Sequence, residues 1–286
     1  MIEAVPLYPF AAVVFLGAGL LFALQMARHL RVFAAAHPSL VTDRPEARLG
    51  TFVRYALVQV RMFREPGVGL MHAVIFWGFI VLTIGVIDRI FFGVIEALIG
   101  DLAGGWAWRL LLVVQNVIMV SVLLAIAVAI FRRVIVRPRR MTLSRDGLLI
   151  LVLIGGVVLT ELLAETFRLG TVSDPDAAWS FAANTLAMAL AGLSQSGGVD
   201  PLTIGYATAF WANVLLISFF LAYLPRSKHL HIVTAVFNTG FAKLKPRGQL
   251  PAMDLEAEEG TFGVKTIADL GWKDLLDGFT CTECGR

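Results

Sequence analysis

The sequence predicts an all-α integral membrane protein, a bundle of about five transmembrane helices. Of its 286 residues, 58% are hydrophobic and 16% are charged, whereas soluble domains contain about 45–50% apolar and about 25% charged residues. The apolar residues also lie in runs of about 20, the length that an α-helix needs to cross a hydrocarbon core about 30 Å thick. This composition excludes an ordinary soluble domain.

Five of these apolar runs are long enough to cross a bilayer, and a sixth is shorter. The predicted spans are residues 10–27, 67–87, 108–131, 147–163 and 204–224. The sixth run, residues 179–193, is rich in Ala and is predicted to be an interfacial or re-entrant helix, with a sixth span as the alternative. Glu3 stands where a secretory signal carries positive charge, so the first run is expected to stay as a helix.

The arginines indicate the orientation of the bundle, because short loops rich in Lys and Arg stay in the cytoplasm. Residues 28–64 contain seven arginines and residues 132–145 contain six, whereas the alternate loops are mostly acidic. With five spans, the amino terminus is therefore predicted outside and the carboxyl terminus in the cytoplasm. Six spans would put the basic residues after Leu224 on the wrong side. Since the positive charge lies in these short loops, the net charge of +3 reflects topology, and no nucleic-acid partner is expected.

Three histidines are predicted to meet at the cytoplasmic face. His72 lies five residues into the second span, and His229 and His231 follow the fifth span as it leaves the membrane. The second span begins and the fifth ends at the same face, so these imidazoles can face each other across the bundle. Ionisable side chains inside a membrane are functional candidates by default, and two imidazoles on facing helices are the ligand set of a b-type haem.

Residues around the histidines match the other needs of a haem. Phe76 and Phe79 follow His72 on the same side of the helix and can form apolar walls, and Arg226 and Lys228 can bind the propionates. The alternative is that His72 bonds a neighbouring carbonyl group. His229 and His231 would then simply belong to a basic flank.

The two cysteines have the spacing of an iron–sulfur site. Cys281 and Cys284 are three residues apart and a glycine follows them. In ferredoxin-type sites a third cysteine follows at the same interval, which would be one residue beyond Arg286. We therefore expect a transmembrane domain over residues 1–240, and over residues 241–286 a cytoplasmic linker and the start of a truncated iron–sulfur domain. Half a zinc site, a redox dithiol or two unligated thiols remain alternatives.

Three segments carry a resemblance to a known family: LMHAVIFWGFIVL at residues 70–82, YLPRSKHLHIVTA at residues 223–235 and FTCTECGR at residues 279–286. The chain resembles the membrane-bound, heterodisulfide-reductase-related iron–sulfur oxidoreductases. These proteins fuse a domain similar to the gamma (cytochrome b) subunit of respiratory nitrate reductase to a cytoplasmic domain with two 4Fe–4S clusters. Some members are thought to pass electrons from electron-transfer flavoprotein to menaquinone.

The resemblance implies roles for individual residues. His72 matches the haem ligand on the second helix of the gamma subunit, and His231 matches its partner on the fifth helix, with His229 as the second choice. Cys281 and Cys284 match the first two ligands of a 4Fe–4S cluster.

The gamma subunit holds a second haem, and this sequence lacks the histidines that would bind it. In that subunit, a further histidine lies about three turns deeper on each of the two helices. The corresponding places are near Leu82 and Asn213, and neither side chain can replace an imidazole. One haem b, on the cytoplasmic side, is expected.

The resemblance thus implies the quinone-reactive membrane domain of a respiratory oxidoreductase in the prokaryotic plasma membrane. It would move electrons between a cytoplasmic 4Fe–4S module and the quinone or menaquinone pool, with an electron-transfer flavoprotein as a partner. The quinone contacts are not evident from the sequence. His29, Arg28 and Arg64, near the inner face, are candidates.

Two other functions remain alternatives. The chain would be a cofactor-free membrane anchor for the iron–sulfur module if the histidines bind no haem. A small transporter would need broken helices or polar groups at mid-membrane, for which Gly155 and Gly156 are a hint, although paired glycines more often permit close helix packing. Gln115 and Asn116 in the third span are predicted to form hydrogen bonds between helices. On the fourth span, Glu161, Glu165 and Arg168 share one face, which favours a salt bridge over a proton path.

Overall fold

The regular structure of the protein is helical throughout the part that the computed structural model describes. That part comprises residues 7–36, 43–90, 94–103, 105–139, 141, 143–193, 200–244, 246, 249, 256 and 263–282. Its α-helices are α1 (Leu7–Ala34), α2 (Pro45–Phe52), α3 (Pro66–Ile90), α4 (Val94–Ala103), α5 (Gly105–Phe131), α6 (Arg145–Thr171), α7 (Phe181–Leu190), α8 (Pro201–Tyr223), α9 (His231–Gly240) and α10 (Trp272–Thr280).

Among the described helices, α1, α3, α5, α6 and α8 are long and apolar enough to cross a membrane. The predicted all-α bundle of five spans is therefore confirmed. The sixth apolar run forms α7, which has ten residues and is followed by a short 3₁₀ turn over Ala191–Leu193. An α-helix of ten residues is about 15 Å long, half of what a bilayer requires. The orientation of the bundle remains a prediction.

Local sequence signals mark the ends of the long helices. Ser144 caps α6 by accepting a hydrogen bond from the amide of Gly147, and α8 begins with Pro201 at its first position. Both are preferred starts, because the first amides of a helix have no partner within it. After α5, a π-helical turn over Arg132–Val136 is followed by Arg137 in a left-handed conformation with φ of 47°. This geometry stops the helix and turns the chain towards α6.

The five long helices pack in an order that differs from the order of the chain. Helix α8 packs between α1 and α6, α6 also packs against α5, and α5 packs against α3. Met119 and Val122 of α5 meet Val158 and Leu162 of α6 in the largest buried cluster. The outward faces remain apolar, with side chains such as Leu124 64% exposed, which suits a lipid environment because water would penalise such a surface.

Small residues and buried amides hold the helices close together. A Cβ atom at Gly78 would lie 2.4 Å from Cγ2 of Val122, so α3 and α5 touch through this glycine. Gly155 and Gly156 similarly approach side chains of α5 and α8, which agrees with close packing. The amide oxygen of Asn116 accepts hydrogen bonds from the amides of Ala182 and Ala183. The predicted hydrogen bonding between helices is thereby confirmed for Asn116.

The contact at Gly78 leads to a first prediction. Gly78→Ala should lower the free energy of unfolding by about 1–3 kcal/mol, because the added methyl group overlaps Val122 and the two helices must separate. Thermal unfolding of the protein in detergent measures this. Gly17→Ala is the matched control, because a Cβ atom there meets nothing within 4 Å, and it should be neutral or slightly stabilising. Equal melting temperatures for the two variants would contradict the packing described here.

Candidate cofactor site

The alternating directions of the five long helices bring four histidines to one end of the bundle. His29 lies near the end of α1, His72 near the start of α3, and His229 and His231 directly after α8. This is the histidine end of the bundle. The rings of His72 and His231 have centroids 6.5 Å apart, with an angle of 45° between their planes.

The separation of His72 and His231 suits two ligands on opposite sides of one metal ion. An imidazole nitrogen binds a metal ion such as zinc at about 2.0–2.1 Å, and a ring nitrogen lies about 1.1 Å from the centre of its own ring. Two imidazoles that bind one metal ion from opposite sides therefore have ring centres about 6.3 Å apart. The observed separation is within a few tenths of an ångström of this value, so the distance between the two rings is that expected of a bis-histidine pair.

The hydrogen bond of His231 selects the tautomer that ligation requires. Its Nδ1 lies 2.9 Å from the carbonyl oxygen of Lys228. Because a carbonyl can only accept, Nδ1 carries the proton and Nε2 keeps its lone pair, which is the usual arrangement for histidines that bind a metal ion. Burial lowers the pKa of His231, and the bond to Lys228 only partly opposes this effect. The imidazole is therefore neutral near pH 7.

His229 remains the second candidate ligand. Its ring centroid is 5.1 Å from that of His231, and its ring also contacts Phe220 edge to face. Burial, followed by the nearby His231, lowers the pKa of His229 to about 3. Its Nδ1 atom is buried and has no hydrogen-bond partner among the described residues.

A carboxylate at the start of α6 holds the loop that carries both histidines. Asp146 Oδ1 accepts a hydrogen bond from the hydroxyl of Tyr223 at 2.5 Å, and its Oδ2 accepts one from the amide of Lys228 at 3.1 Å. Within the loop, Ser227 Oγ accepts a hydrogen bond from the amide of His229. The positions of the imidazoles therefore depend on α6 as well as on α8. Nothing in the sequence pattern singled out Asp146.

The residues predicted to form the apolar walls of the haem site and to bind its propionates lie in different environments. Phe76 is half-buried beside Trp77, while Phe79 is 44% exposed on the outside of the bundle. Arg226 is exposed and Lys228 is half-buried. The structure does not gather all four around the histidine pair.

Two arginines at the end of α5 are further cations at the histidine end. Arg132 Nε and Arg133 Nη1 are buried and have no hydrogen-bond partner in the described part of the chain. Arg133 lies against α6, where a Cβ atom at Gly147 would approach its Nη1 to 2.6 Å. An unpaired buried guanidinium nitrogen favours an anionic ligand such as a carboxylate. In the sequence, these arginines indicate only the orientation of the bundle.

The short helix α10 brings the first cysteine towards the histidine end. Cys281 is exposed and directly follows α10, which packs against α1 and α9. Cys284 lies outside the described residues. Within the part of the chain that the structure describes, no group of three or more His, Cys, Asp or Glu side chains is arranged to hold a metal ion.

The three predicted quinone contacts lie in different environments. Arg28 and Arg64 are exposed, whereas His29 is half-buried and its Nε2 lies 3.0 Å from the carbonyl oxygen of Pro225. Because that carbonyl accepts, His29 donates this bond and ties α1 to the loop after α8.

A polar cavity of about 620 Å³ lies at the opposite end of the bundle. Its lining includes Asp88, Glu96, Gln115, Glu161 and Arg168. Burial raises the pKa of Glu96, and the nearby Asp88 raises it further. No motif in the sequence predicted this cavity, because its residues come from separate helices.

Arg168 neutralises part of the acidic charge at the cavity. Its guanidinium group forms salt bridges with Glu165 and Asp174, at 2.9 and 2.7 Å. The pKa of Asp174, which burial would raise, is lowered by the hydrogen bonds from Arg168 and from the amide of Asp176. The predicted salt bridge is therefore present between Arg168 and Glu165.

The positions where a second haem would need histidines are used for helix packing. Leu82 packs against the buried cluster that α5 and α6 share. Asn213 donates hydrogen bonds from Nδ2 to the carbonyl oxygen of Val157 at 2.9 Å and to the hydroxyl of Thr160 at 3.1 Å. These residues do not fit a second haem.

The chain is similar to two curated oxidoreductases. It is 31% identical over 253 residues to the EtfAB:quinone oxidoreductase of Syntrophomonas wolfei, an alignment that covers 85% of this chain and 34% of that protein. It is 29% identical over 230 residues to FadF of Bacillus subtilis, named as an iron–sulfur-binding oxidoreductase, with 80% of this chain and 32% of that protein covered. The chain thus spans about a third of the length of these relatives. No family model matches the chain, and no solved structure matches it significantly.

The role of Asp146 can be tested directly. Asp146→Ala should speed hydrogen exchange in the loop of residues 224–230 and lower the free energy of unfolding by about 1–3 kcal/mol, because the Tyr223 hydroxyl and the Lys228 amide lose their acceptor. Tyr223→Phe is the matched control, since it removes one of the two bonds and leaves the amide bond in place. Unchanged exchange in Asp146→Ala would show that the loop is held by other contacts.

Proposed function

We propose that this chain, which is related to the iron–sulfur oxidoreductases, is the cytochrome b-like, quinone-reactive membrane domain of a respiratory oxidoreductase. It would move electrons between a cytoplasmic 4Fe–4S module and the quinone or menaquinone pool. The single observation that carries this proposal is the pairing of His72 and His231 with ring centroids 6.5 Å apart. The two relatives, both named as oxidoreductases, support the redox part of it.

In this proposal the imidazoles of His72 and His231 would hold a single haem b. A bound haem supplies one-electron chemistry, which suits exchange with iron–sulfur clusters. The protein contributes the neutral imidazoles, the Lys228 carbonyl that orients one of them, and apolar helix surfaces that exclude water. Arg132 and Arg133, together with Arg226 and Lys228, are the cations that would bind the propionates.

The residues deeper in the bundle support one haem and not two. Leu82 and Asn213 occupy the places of a second ligand pair, and both contribute to contacts between helices. A second porphyrin would have to displace this packing and break the bonds of Asn213 to α6, which makes a transmembrane pair of haems unfavourable.

The remaining parts of the proposal concern partners and location. The relative named as an EtfAB:quinone oxidoreductase supports an electron-transfer flavoprotein and a quinone as partners. Residues 1–240 would form the membrane domain, with His29, Arg28 and Arg64 as candidate quinone contacts. Residues 241–286 would lead into the iron–sulfur domain, with Cys281 and Cys284 as its first cluster ligands. The basic loops favour a prokaryotic plasma membrane location with a cytoplasmic carboxyl terminus.

The haem assignment predicts a spectroscopic result. The reduced-minus-oxidised absorption spectrum of the protein purified in detergent should contain the α band of a b-type cytochrome. His72→Ala and His231→Ala should each remove the band and the bound haem, because each removes one of the two side chains that would hold the haem iron.

His229→Ala is the matched control for this experiment and should keep the band. Survival of the band in His231→Ala with its loss in His229→Ala would move the ligand assignment to His229. A protein with no α band, or a band that His72→Ala leaves unchanged, would refute the haem and favour a cofactor-free anchor.

The orientation gives a second prediction. A reporter domain that is active only in the cytoplasm, fused after Ala242, should be active in cells, whereas fusion after Gly170 should be inactive. The two fusion sites should lie on opposite sides because one span, α8, separates them. The arginine-rich loops put the Ala242 side in the cytoplasm, since Lys and Arg are retained on the inside. Activity of only the Gly170 fusion would mean that the histidine end faces outward, and the proposed cytoplasmic electron entry would fail.

A further inference from the structure

Helix α10 is attached to the histidine end of the bundle by a cluster of aromatic rings. Its two aromatic residues, Trp272 and Phe279, contact Phe33, His29 and Phe241. The ring centroids of Phe279 lie 5.2 Å from His29 and 5.0 Å from Phe33, and those of Trp272 lie 6.0 Å from Phe33 and 5.2 Å from Phe241. We call these five residues the aromatic seat. Such ring pairs stabilise an interface beyond the effect of the apolar area that they bury.

Polar contacts fix the same helix against α9. Lys273 is only 9% exposed, and its Nζ donates hydrogen bonds to Asn238 of α9 and to Asp277 of α10. A second bond joins Lys243 Nζ to Asp274 at 2.5 Å. A lysine this well buried needs such partners, because an unpaired buried ammonium group is costly. The register and direction of α10 are therefore specified.

His29 links this attachment to the loop that carries the candidate ligands. Its ring contacts the ring of Phe279 edge to face, and its Nε2 donates a hydrogen bond to the carbonyl oxygen of Pro225. Pro225 belongs to the same short loop as Lys228, whose carbonyl orients His231. A single side chain of α1 thus contacts both α10 and the ligand loop.

We infer that α10 and the aromatic seat form a clamp that holds Cys281 beside the ligand loop, with His29 as the positioning residue that joins the two. Cys281 is two residues from Phe279, at most about 7 Å of extended chain, and Phe279 touches His29. The inference rests on the proposed function only in assigning an iron–sulfur ligand role to the cysteines.

A distance measurement tests the clamp without any cofactor. In a Cys284→Ser background, Cys281 is the one remaining cysteine of the two in the sequence and can carry a nitroxide label. A second label at Arg28→Cys, on the exposed neighbour of His29, should give strong dipolar broadening of the EPR spectrum. A second label at Val13→Cys is the matched control, because this exposed position lies about 22 Å further along α1, and it should give none.

Variants of His29 separate its two contacts. His29→Gln keeps a donor for the Pro225 carbonyl but loses one of the four ring pairs, so the Arg28–Cys281 broadening should weaken while hydrogen exchange in residues 225–231 stays slow. His29→Phe keeps the ring, so the broadening should persist while that exchange accelerates. The double variant Trp272→Ala with Phe279→Ala removes all four ring pairs and should lose the broadening.

The outcomes distinguish this inference from the proposed function. Absence of broadening in the Arg28–Cys281 pair, or its persistence in the double variant, would overturn the clamp, whatever the haem spectrum shows. Both His29 variants should retain the α band if the haem is bound. A protein that has the clamp but no haem would refute the proposed function and leave the docking of α10 intact.

Discussion

The bilayer core offers no water to the backbone, so an apolar chain crosses it as a helix, and each connection that stays near one surface reverses its direction. Five such crossings make the start of α3 and the end of α8 reach the same end of the bundle. His72 and His231, far apart in the sequence, become neighbours because of this constraint. The same reason puts three other features at that end: Asp146 at the start of α6, the end of α5 and the aromatic seat. The whole candidate site therefore depends on the number of crossings.

Neutral histidines in this setting require support from the rest of the structure. Desolvation disfavours the imidazolium form, which explains the lowered pKa values of His229 and His231. A neutral ring still has a donor nitrogen that needs an acceptor, and for His231 the Lys228 carbonyl provides it. That carbonyl is in turn placed by the bond from the Lys228 amide to Asp146. The ligand geometry is thus maintained by α6, which contributes no ligand of its own.

The spans could be predicted from the sequence because they depend on local composition, and every predicted span lies within the helix observed or within three residues of its ends. The meeting of His72 and His231 was also predictable, since it follows from counting the crossings. Contacts that depend on side-chain packing could not be predicted from the sequence. In the sequence, Asp146 is an ordinary acidic residue in the first turn of a predicted helix. Arg132 and Arg133 indicate only the orientation of the bundle. Helix α10 lies in a polar segment, and its aromatic contacts with α1 become evident only when the fold is known.

The two ends of the bundle differ in chemistry, and this difference bears on how far charge could travel. At the histidine end, the imidazoles of His72 and His231 lie close together, and among the described residues Arg132 Nε and Arg133 Nη1 have no hydrogen-bond partner, which supports the proposed anionic, iron-binding cofactor. At the other end, a carboxylate-rich cavity with Arg168 would attract protons or cations and repel propionates. Between the ends, Asn213 bonds α8 to α6, where the gamma subunit of nitrate reductase would hold a ligand. Under the proposed function, such a bundle would exchange electrons at one face, and any charge that crosses the remaining depth would have to use a group other than a second haem.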